Sequence, residues 1–406
     1  MALLLQVSGF LASLHIYFRL NPATSPPSAP PPSAASLPPP PARDQTLPPT
    51  ILVTGACGLV GTNILSDLTS SSVRPKPRLV GLDMFLPSPG SPRHVPGVIY
   101  HAANMVNQTV PEMAAFLALH KVTGIIHTAG VVFMKDDPNT LLSVNQYATT
   151  KLLLAAKHLG STVRSFVITS SASTINPGTG DRLAIPPSTL PHDPASQPPL
   201  FSTDYGRTKA QAELDTLNFH EPSIGFLTAA LRLPGVYGAG DPWMGGPLSR
   251  GELTTLPGSA DKRVEMVYVK NAAAAHASAI LTLLGLTDAD PLLAGGRAYH
   301  ITNGEPRYTM GAFVDEALQR FPSNPKPTQL SYLVSLLVCC FVEAFWAYTC
   351  GNVFAPRHPV WNFTRASLSY MSTDQTFSTE GNELIAFPKP LYNVRESLDD
   401  MKRELQ

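Results

Sequence analysis

The stretch ILVTGACGLVGTN, residues 51–63, decides the fold. Ile51 to Thr54 form a short apolar run of the kind that a buried strand uses. Three glycines follow at a spacing of three, Gly55, Gly58 and Gly61, and Leu59 to Leu68 then carries apolar residues at helical spacing. A strand, a glycine-rich turn and a helix in that order make a dinucleotide loop. Gly55 permits the tight turn, Gly58 lets the backbone approach a pyrophosphate, and Gly61 lets helix and strand pack closely. Cys57, Leu59 and Val60 flank the start of that helix, where N–H groups and the positive end of the dipole favour phosphate. Asp83 ends the next strand, Arg78–Asp83, where a carboxylate accepts hydrogen bonds from ribose hydroxyls and repels a 2′-phosphate. Met84 and Phe85 follow it, with no arginine or lysine, so NAD is expected over NADP.

Working outward, the pattern alternates. Val122 to His127 reads as a strand, Leu141 to Leu159 as a long helix stopped at Gly160, and Ser165 to Thr169 as another strand. A helix starts near Tyr205, and Thr228 to Leu233 makes one more strand. Strand and helix alternating in this way predict an α/β fold, a Rossmann-type doubly wound parallel sheet covered on both faces. Residues 50–400 would form this domain. A smaller C-terminal substrate-binding subdomain is expected to draw mainly on 180–204, 235–265 and 305–400, since ligands bind beyond the carboxyl ends of such strands.

The flanks differ in character. Lys plus Arg equals Asp plus Glu, and no basic stripe breaks the balance, so nucleic acid is not an expected partner. The four cysteines form no CxxC pair and no His cluster completes a zinc pattern, so no metal is expected. Residues 1–20 are mostly apolar and are expected to anchor the chain to a membrane. Residues 21–49 are a proline-rich spacer that cannot form a packed core. A second apolar segment, Leu330 to Cys350, is interrupted chiefly by Glu343. A carboxylate at bilayer centre costs about 2.5 kcal/mol or more, which favours an interfacial helix or a wall for a lipid-like substrate over a full span.

The reaction class rests on a second constellation. Tyr205 and Lys209 stand four apart, on one face of a helix. A free phenol, with a pKa of about 10, is a poor base at neutral pH. A nearby ammonium favours the phenolate. Ser170, Ser171 and Ser173 follow the strand FVIT, where a hydroxyl can hydrogen-bond a substrate oxygen whose charge changes in the transition state. Asn145, inside the long helix, is placed to orient a water or a main-chain carbonyl behind the lysine.

These motifs together resemble the extended short-chain dehydrogenases/reductases, and within them the 3β-hydroxysteroid dehydrogenase family. The resembling stretches are VTGACGLVGTNI, IIHTAGVV, SVNQYATTKLLLAA, VITSSAS, DYGRTKAQAE, LRLPGVYGAGDP, VYVKNAAAAHASAI and YHITNGEP. The last three are most like the branch that oxidises and decarboxylates sterol 4α-carboxylates. The resemblance implies Tyr205 as catalytic base, Lys209 as its partner and a ligand of the nicotinamide ribose, Ser171 as ligand of the substrate oxygen, and Asn145 as a fourth catalytic group. It also implies Thr128 and Ala129 near the cofactor, and the backbone of Pro234 to Val236 near the nicotinamide carboxamide. An acidic adenine contact usual after the third strand is missing from IYHAANMVNQT, where Asn104 is the available substitute. A sterol or other terpenoid substrate, membrane contact at the endoplasmic reticulum with a cytosolic catalytic domain, a homodimer and association with other sterol-pathway enzymes are the matching expectations. A dehydrogenase or reductase of another secondary metabolite, or a non-catalytic NAD-binding regulator, are the rivals.

Overall fold

A computed structural model describes residues 48–131, 138–160, 162–175, 181–191, 203–256, 258–349 and 364–406. The apolar segment 1–20, nearly all of the spacer, and positions 192–202 of the proline-rich loop lie outside the described residues.

Seven strands form one sheet: β1 (Thr50–Thr54), β2 (Arg78–Asp83), β3 (Val98–Ala102), β4 (Gly124–His127), β5 (Ser165–Ser171), β7 (Leu227–Leu233) and β11 (Arg297–His300). Their order across the sheet is β11-β7-β5-β4-β1-β2-β3, and every neighbouring pair is parallel. Four smaller strands after β5, named β6 (Arg182–Ile185), β8 (Gly235–Tyr237), β9 (Thr255–Leu256) and β10 (Met266–Tyr268), lie outside this sheet, as do β12 (Thr328–Gln329) and β13 (Gln375–Phe377). The strand order reverses between β1 and β4, and such a switch point opens a crevice at the strands' carboxyl ends. Thr54 pairs with His127 there.

Each central strand is apolar on both faces because helices cover both. In β1, Ile51 and Val53 pack toward α1 (Leu59–Ser70) and α5 (Val269–Leu283), whereas Leu52 packs toward α2 (Val110–Leu119) and α3 (Ala148–His158). That alternation is the period of two that a strand imposes. The helix α4 (Asp204–Asn218) lies against β5 and β7. It starts at Thr203, whose hydroxyl accepts the Gly206 N–H at 3.0 Å. The third strand escaped the sequence pattern because β3 is an edge strand with no fully buried residue.

The long helical segment is not uniform. Residues Pro138–Leu141 are α-helical, Leu142–Tyr147 form a π-helical turn, and only then does α3 begin. Such turns occur mostly inside α-helices, often at functional sites. This one carries Asn145.

Beyond the sheet a third apolar cluster joins Tyr237, Tyr268, Phe313 and Leu398, linking β8, β10, α6 (Met310–Arg320) and α9 (Val394–Leu405). Two further helices, α7 (Tyr332–Thr349) and α8 (Arg365–Met371), complete this part of the chain. On α7, Leu333, Leu337 and Phe341 recur every four residues and are 64%, 62% and 59% exposed, an apolar stripe. Glu343 on the same helix is ion-paired, accepting from Arg365 Nε at 2.6 Å and from the Arg365 N–H at 2.7 Å. Among the described residues no helix is long and apolar enough to cross a membrane.

Candidate active site

Two glycines set the shape of the loop after β1. Gly55 has a φ of +67°, and a Cβ there would lie 2.8 Å from both Ala129 N and Thr128 Oγ1. At Gly61 a Cβ would sit 2.1 Å from the Gly55 carbonyl oxygen, so the first turn of α1 rests directly on the loop. The helix begins after Gly58 with no side-chain cap and no acidic residue in its first turn. Its leading amides near Leu59 and Val60 are therefore available to an anion. Asp83 braces the loop from β2: one carboxylate oxygen accepts the Cys57 N–H at 2.9 Å and the other accepts the Met84 N–H at 2.7 Å. An uncapped helix start behind a tight glycine turn, with a fixed carboxylate one strand away, fits an adenine dinucleotide.

The opposite wall of the crevice is tied down by a buried chain of hydrogen bonds. The Ala129 N–H donates to Thr54 Oγ1 at 3.3 Å, and Thr54 Oγ1 lies 2.7 Å from His127 Nδ1. On the other ring edge His127 Nε2 lies 2.9 Å from Thr149 Oγ1, whose own proton goes to the Asn145 carbonyl at 2.8 Å. Since that hydroxyl is spent as donor, His127 donates through Nε2 and accepts from Thr54 through Nδ1. Thr128 Oγ1 donates to the Thr54 carbonyl at 2.8 Å. Asn145, fully buried, grips the loop beyond β4 by both ends of its amide: Oδ1 accepts the Val131 N–H at 2.8 Å and Nδ2 donates to the Val131 carbonyl at 3.0 Å. The loop bearing the acidic-contact substitute is also held, because Asn104 accepts the Val106 N–H at 3.0 Å and Lys151 Nζ donates to the carbonyls of Met105, Val106 and Gln108.

Ser171, Tyr205 and Lys209 come together at the end of β5. The Tyr205 hydroxyl is hydrogen-bonded to Ser171, which also accepts from Ser173 Oγ at 2.9 Å. Lys209 is buried and donates to the Thr169 carbonyl at 2.6 Å. Burial pulls its pKa down to about 8, with the Glu213 carboxylate opposing the fall. Burial raises the Tyr205 phenol above its ordinary value, and the Ser171 hydrogen bond offsets part of that rise. The adjacent hydroxyls have separate employment: Ser170 is buried and donates to Glu213, leaving Ser171 on the Tyr205 side. Past β7, Pro234 is buried while Gly235 is exposed, so the strand end presents open backbone next to Val236.

Residues that the motif reading did not single out support this geometry. Glu213 and Arg232 form a buried ion pair beneath Ser170. His276 fixes Thr169 from the other side, its Nε2 accepting from Thr169 Oγ1 at 2.8 Å while Nδ1 donates to the Ala272 carbonyl at 2.7 Å. A charge near the end of the apolar run TAALRL was the available signal for Arg232, because a buried arginine demands a partner.

Three histidines are buried uncharged: His127 and His300 are depressed to about 3 and His276 to about 4, mainly by burial. Unfolded histidine titrates near 6.5, so the unfolded chain takes up protons first as the pH falls. The neutral folded rings contribute fully above that value and lose their contribution between pH 6.5 and their folded values. Each ring then costs roughly 2 kcal/mol at pH 5, and three together about 6 kcal/mol. Urea unfolding followed against pH should show a nearly flat stability between pH 7 and 8 and a fall from there to pH 5. Equal stability at pH 7 and pH 5 would mean that the rings charge in place.

Comparison with known proteins agrees with the geometry. Residues 52–331 match the model of the 3-beta hydroxysteroid dehydrogenase/isomerase family. The chain is 27% identical over 258 residues to the sterol-4-alpha-carboxylate 3-dehydrogenase, decarboxylating, of Bos taurus, covering 63% of this chain. That match spans 65% of the relative's length, just under two thirds. It is 28% identical over 308 residues to the mouse short-chain dehydrogenase/reductase family 42E member 1, covering 71% of this chain and 73% of that one. Among solved structures it is similar to the UDP-glucuronic acid 4-epimerase from Bacillus cereus in complex with NAD. There the TM-score is 0.62 with 16% identity, over 88% of this chain and 98% of that one, a likeness of fold. With the glycine loop, the reversed strand order and the Ser–Tyr–Lys cluster all inside or beside the matched residues, the chain belongs to the 3-beta hydroxysteroid dehydrogenase/isomerase family.

Proposed function

We propose that this protein oxidises the 3β-hydroxyl of a sterol or steroid with NAD, and that its substrate is a 4α-carboxysterol that loses carbon dioxide. The observation that carries the reading is Tyr205 hydrogen-bonded to Ser171 on one side of a helix whose next turn brings Lys209 to the same strand end. Bound between the β1 loop and the β4 loop, oxidised nicotinamide would supply the hydride acceptor. Gly55, Cys57, Gly58, Leu59, Val60 and Gly61 would hold the pyrophosphate, Asp83 the adenosine ribose, and Thr128, Ala129, Pro234 and Val236 the remainder.

Tyr205, as phenolate, takes the hydroxyl proton. Ser171 donates to the same oxygen, and the Lys209 ammonium favours the phenolate. A carboxylate on the neighbouring carbon then makes the product a β-keto acid. Its C–C bond breaks with the electron pair moving onto the ketone as an enolate, which takes up a proton, and carbon dioxide leaves. The curated relative named for this reaction supports the substrate class. Asp83 favours NAD, since a 2′-phosphate would meet its carboxylate. The deciding assay follows NADH absorbance and carbon dioxide with a 4α-carboxy-3β-hydroxysterol, a plain 3β-hydroxysteroid and a UDP-hexose, each with NAD and NADP. NADH and carbon dioxide from the first substrate alone is the expected result. NADH from the steroid without carbon dioxide moves the assignment to a simple dehydrogenase, and silence on all three removes the reading.

The same reading gives the stripe on α7 a use, because a sterol arrives from a bilayer. Leu333, Leu337 and Phe341 would rest in the interface, with the Glu343–Arg365 pair at its edge. With residues 1–20 removed from both proteins, Leu337→Asp combined with Phe341→Asp should cut co-sedimentation with phosphatidylcholine vesicles several-fold. Undiminished binding would assign that face elsewhere.

A further inference from the structure

Glu213 lies four residues beyond Lys209 and eight beyond Tyr205 on α4, and it is wholly buried. Its carboxylate receives the Ser170 hydroxyl, the Thr174 hydroxyl at 3.2 Å, and Arg232 through Nε at 2.9 Å and Nη2 at 2.5 Å. Arg232 stands within β7 and is itself buried. Its Nη1 donates to the Pro187 carbonyl at 3.2 Å and lies 3.4 Å from His300 Nε2. His300 in turn donates from Nδ1 to the Ser378 carbonyl at 3.2 Å. One carboxylate therefore joins the carboxyl ends of β5 and β7 to α4. Its partner reaches the two segments that pair as β6 and β13.

Stability alone accounts poorly for this arrangement, since well-packed apolar residues often replace a buried ion pair without loss. What the pair supplies is fixed geometry at one place. Ser170 adjoins Ser171, and Glu213 is one helical turn from Lys209. We propose that Glu213 is a positioning residue of the active site: it holds the Ser171 end of β5 in register with the Tyr205–Lys209 face of α4, with its carboxylate one helical turn from Lys209. This rests on the oxidoreductase reading above. The burial that pulls Lys209 down to about 8 is opposed by this carboxylate, so its removal leaves less ammonium at neutral pH.

Glu213→Gln alone strands the Arg232 charge and can prevent folding. The informative protein is therefore Glu213→Gln with Arg232→Gln, in which neither charge is orphaned and amide hydrogen bonds remain. Thermal melting and NADH binding count the folded sites. Per folded site, kcat should fall roughly 100-fold, the scale of a small misplacement of reacting groups, with the cofactor KM changed less than about threefold. The pH at which Lys209 is half-labelled by an amine-reactive ester, located by peptide mass spectrometry, should move down by about one unit. Unchanged kcat per folded site with an unchanged labelling profile overturns the proposal. So does a loss of activity matched by the loss of folded sites. If the unaltered protein oxidises none of the test substrates, the functional reading fails, while the labelling profile still decides what Glu213 does to Lys209.

Discussion

Replacing Tyr205 with phenylalanine should lower kcat for the proposed sterol oxidation by about 10³-fold while leaving NAD affinity within about threefold, the range spanned by a positioned acid–base group. The substitution removes one oxygen and keeps the ring, so α4 keeps its packing. Tyr205 is half-buried and its hydroxyl is hydrogen-bonded to Ser171, which still has Ser173 as a partner once the phenol is gone. No buried group is therefore stranded, and the thermal midpoint should hold. Burial raises the phenol pKa in the protein without cofactor, so turnover should climb with pH on the acid side. That limb should be absent from whatever activity the variant keeps. Stopped-flow measurement of NADH formation against pH reads both effects. A variant with wild-type kcat would remove Tyr205 from the chemistry and leave a nucleotide-binding protein without an assigned base.

Gly61→Ala is the second large effect, and it acts on the cofactor instead. The new methyl would lie 2.1 Å from the Gly55 carbonyl oxygen, 2.8 Å from its carbon and 3.1 Å from Ala56 Cα. All three are backbone atoms of the turn, so no side chain can swing aside. Either the loop opens or α1 moves off β1, and α1 is also packed against α5. Strain of this sort costs about 1–3 kcal/mol in a packed interior. The same displacement takes the leading amides of α1 away from the pyrophosphate. Calorimetric titration with NAD should show affinity reduced at least about 100-fold, the cost of losing two to three charge-assisted hydrogen bonds. Ser66→Ala, on the exposed face of the same helix, should bind normally. Normal NAD binding by the Gly61 variant would mean that the loop does not hold the pyrophosphate.

Much of the sheet was readable from local pattern because a strand buried on both faces is an apolar run. Arg78–Asp83 matches its expected bounds, and the segment ending in His127 is shorter by two residues. The edge strand β3 was not readable, since none of its residues is fully buried and no apolar run forms. Neither was the π-turn at Leu142–Tyr147, where one extra residue per turn leaves the apolar spacing of its neighbours nearly unchanged. At the site, Tyr205 and Lys209 were legible as a spacing on one helix. Their support was not: Glu213 meets Arg232 across 19 positions and Thr54 meets His127 across 73, contacts that only the folded sheet creates. The small pairs β8–β10, β9–β12 and β6–β13 are two to four residues long and owe their existence to tertiary packing, which leaves little periodicity to detect.

Three uncharged imidazoles buried in and beside one sheet also make the fold sensitive to acid. His127, His276 and His300 each serve as both donor and acceptor within a few ångströms of Thr54, Thr169 and Arg232. Their combined cost of about 6 kcal/mol at pH 5 compares with the 5–15 kcal/mol that holds a whole domain together. At pH 5 the folded chain should therefore keep a smaller margin over the unfolded chain than it has at neutrality. The same imidazoles that brace the sheet near neutrality thus become, as protons arrive, the places where its hold slackens first.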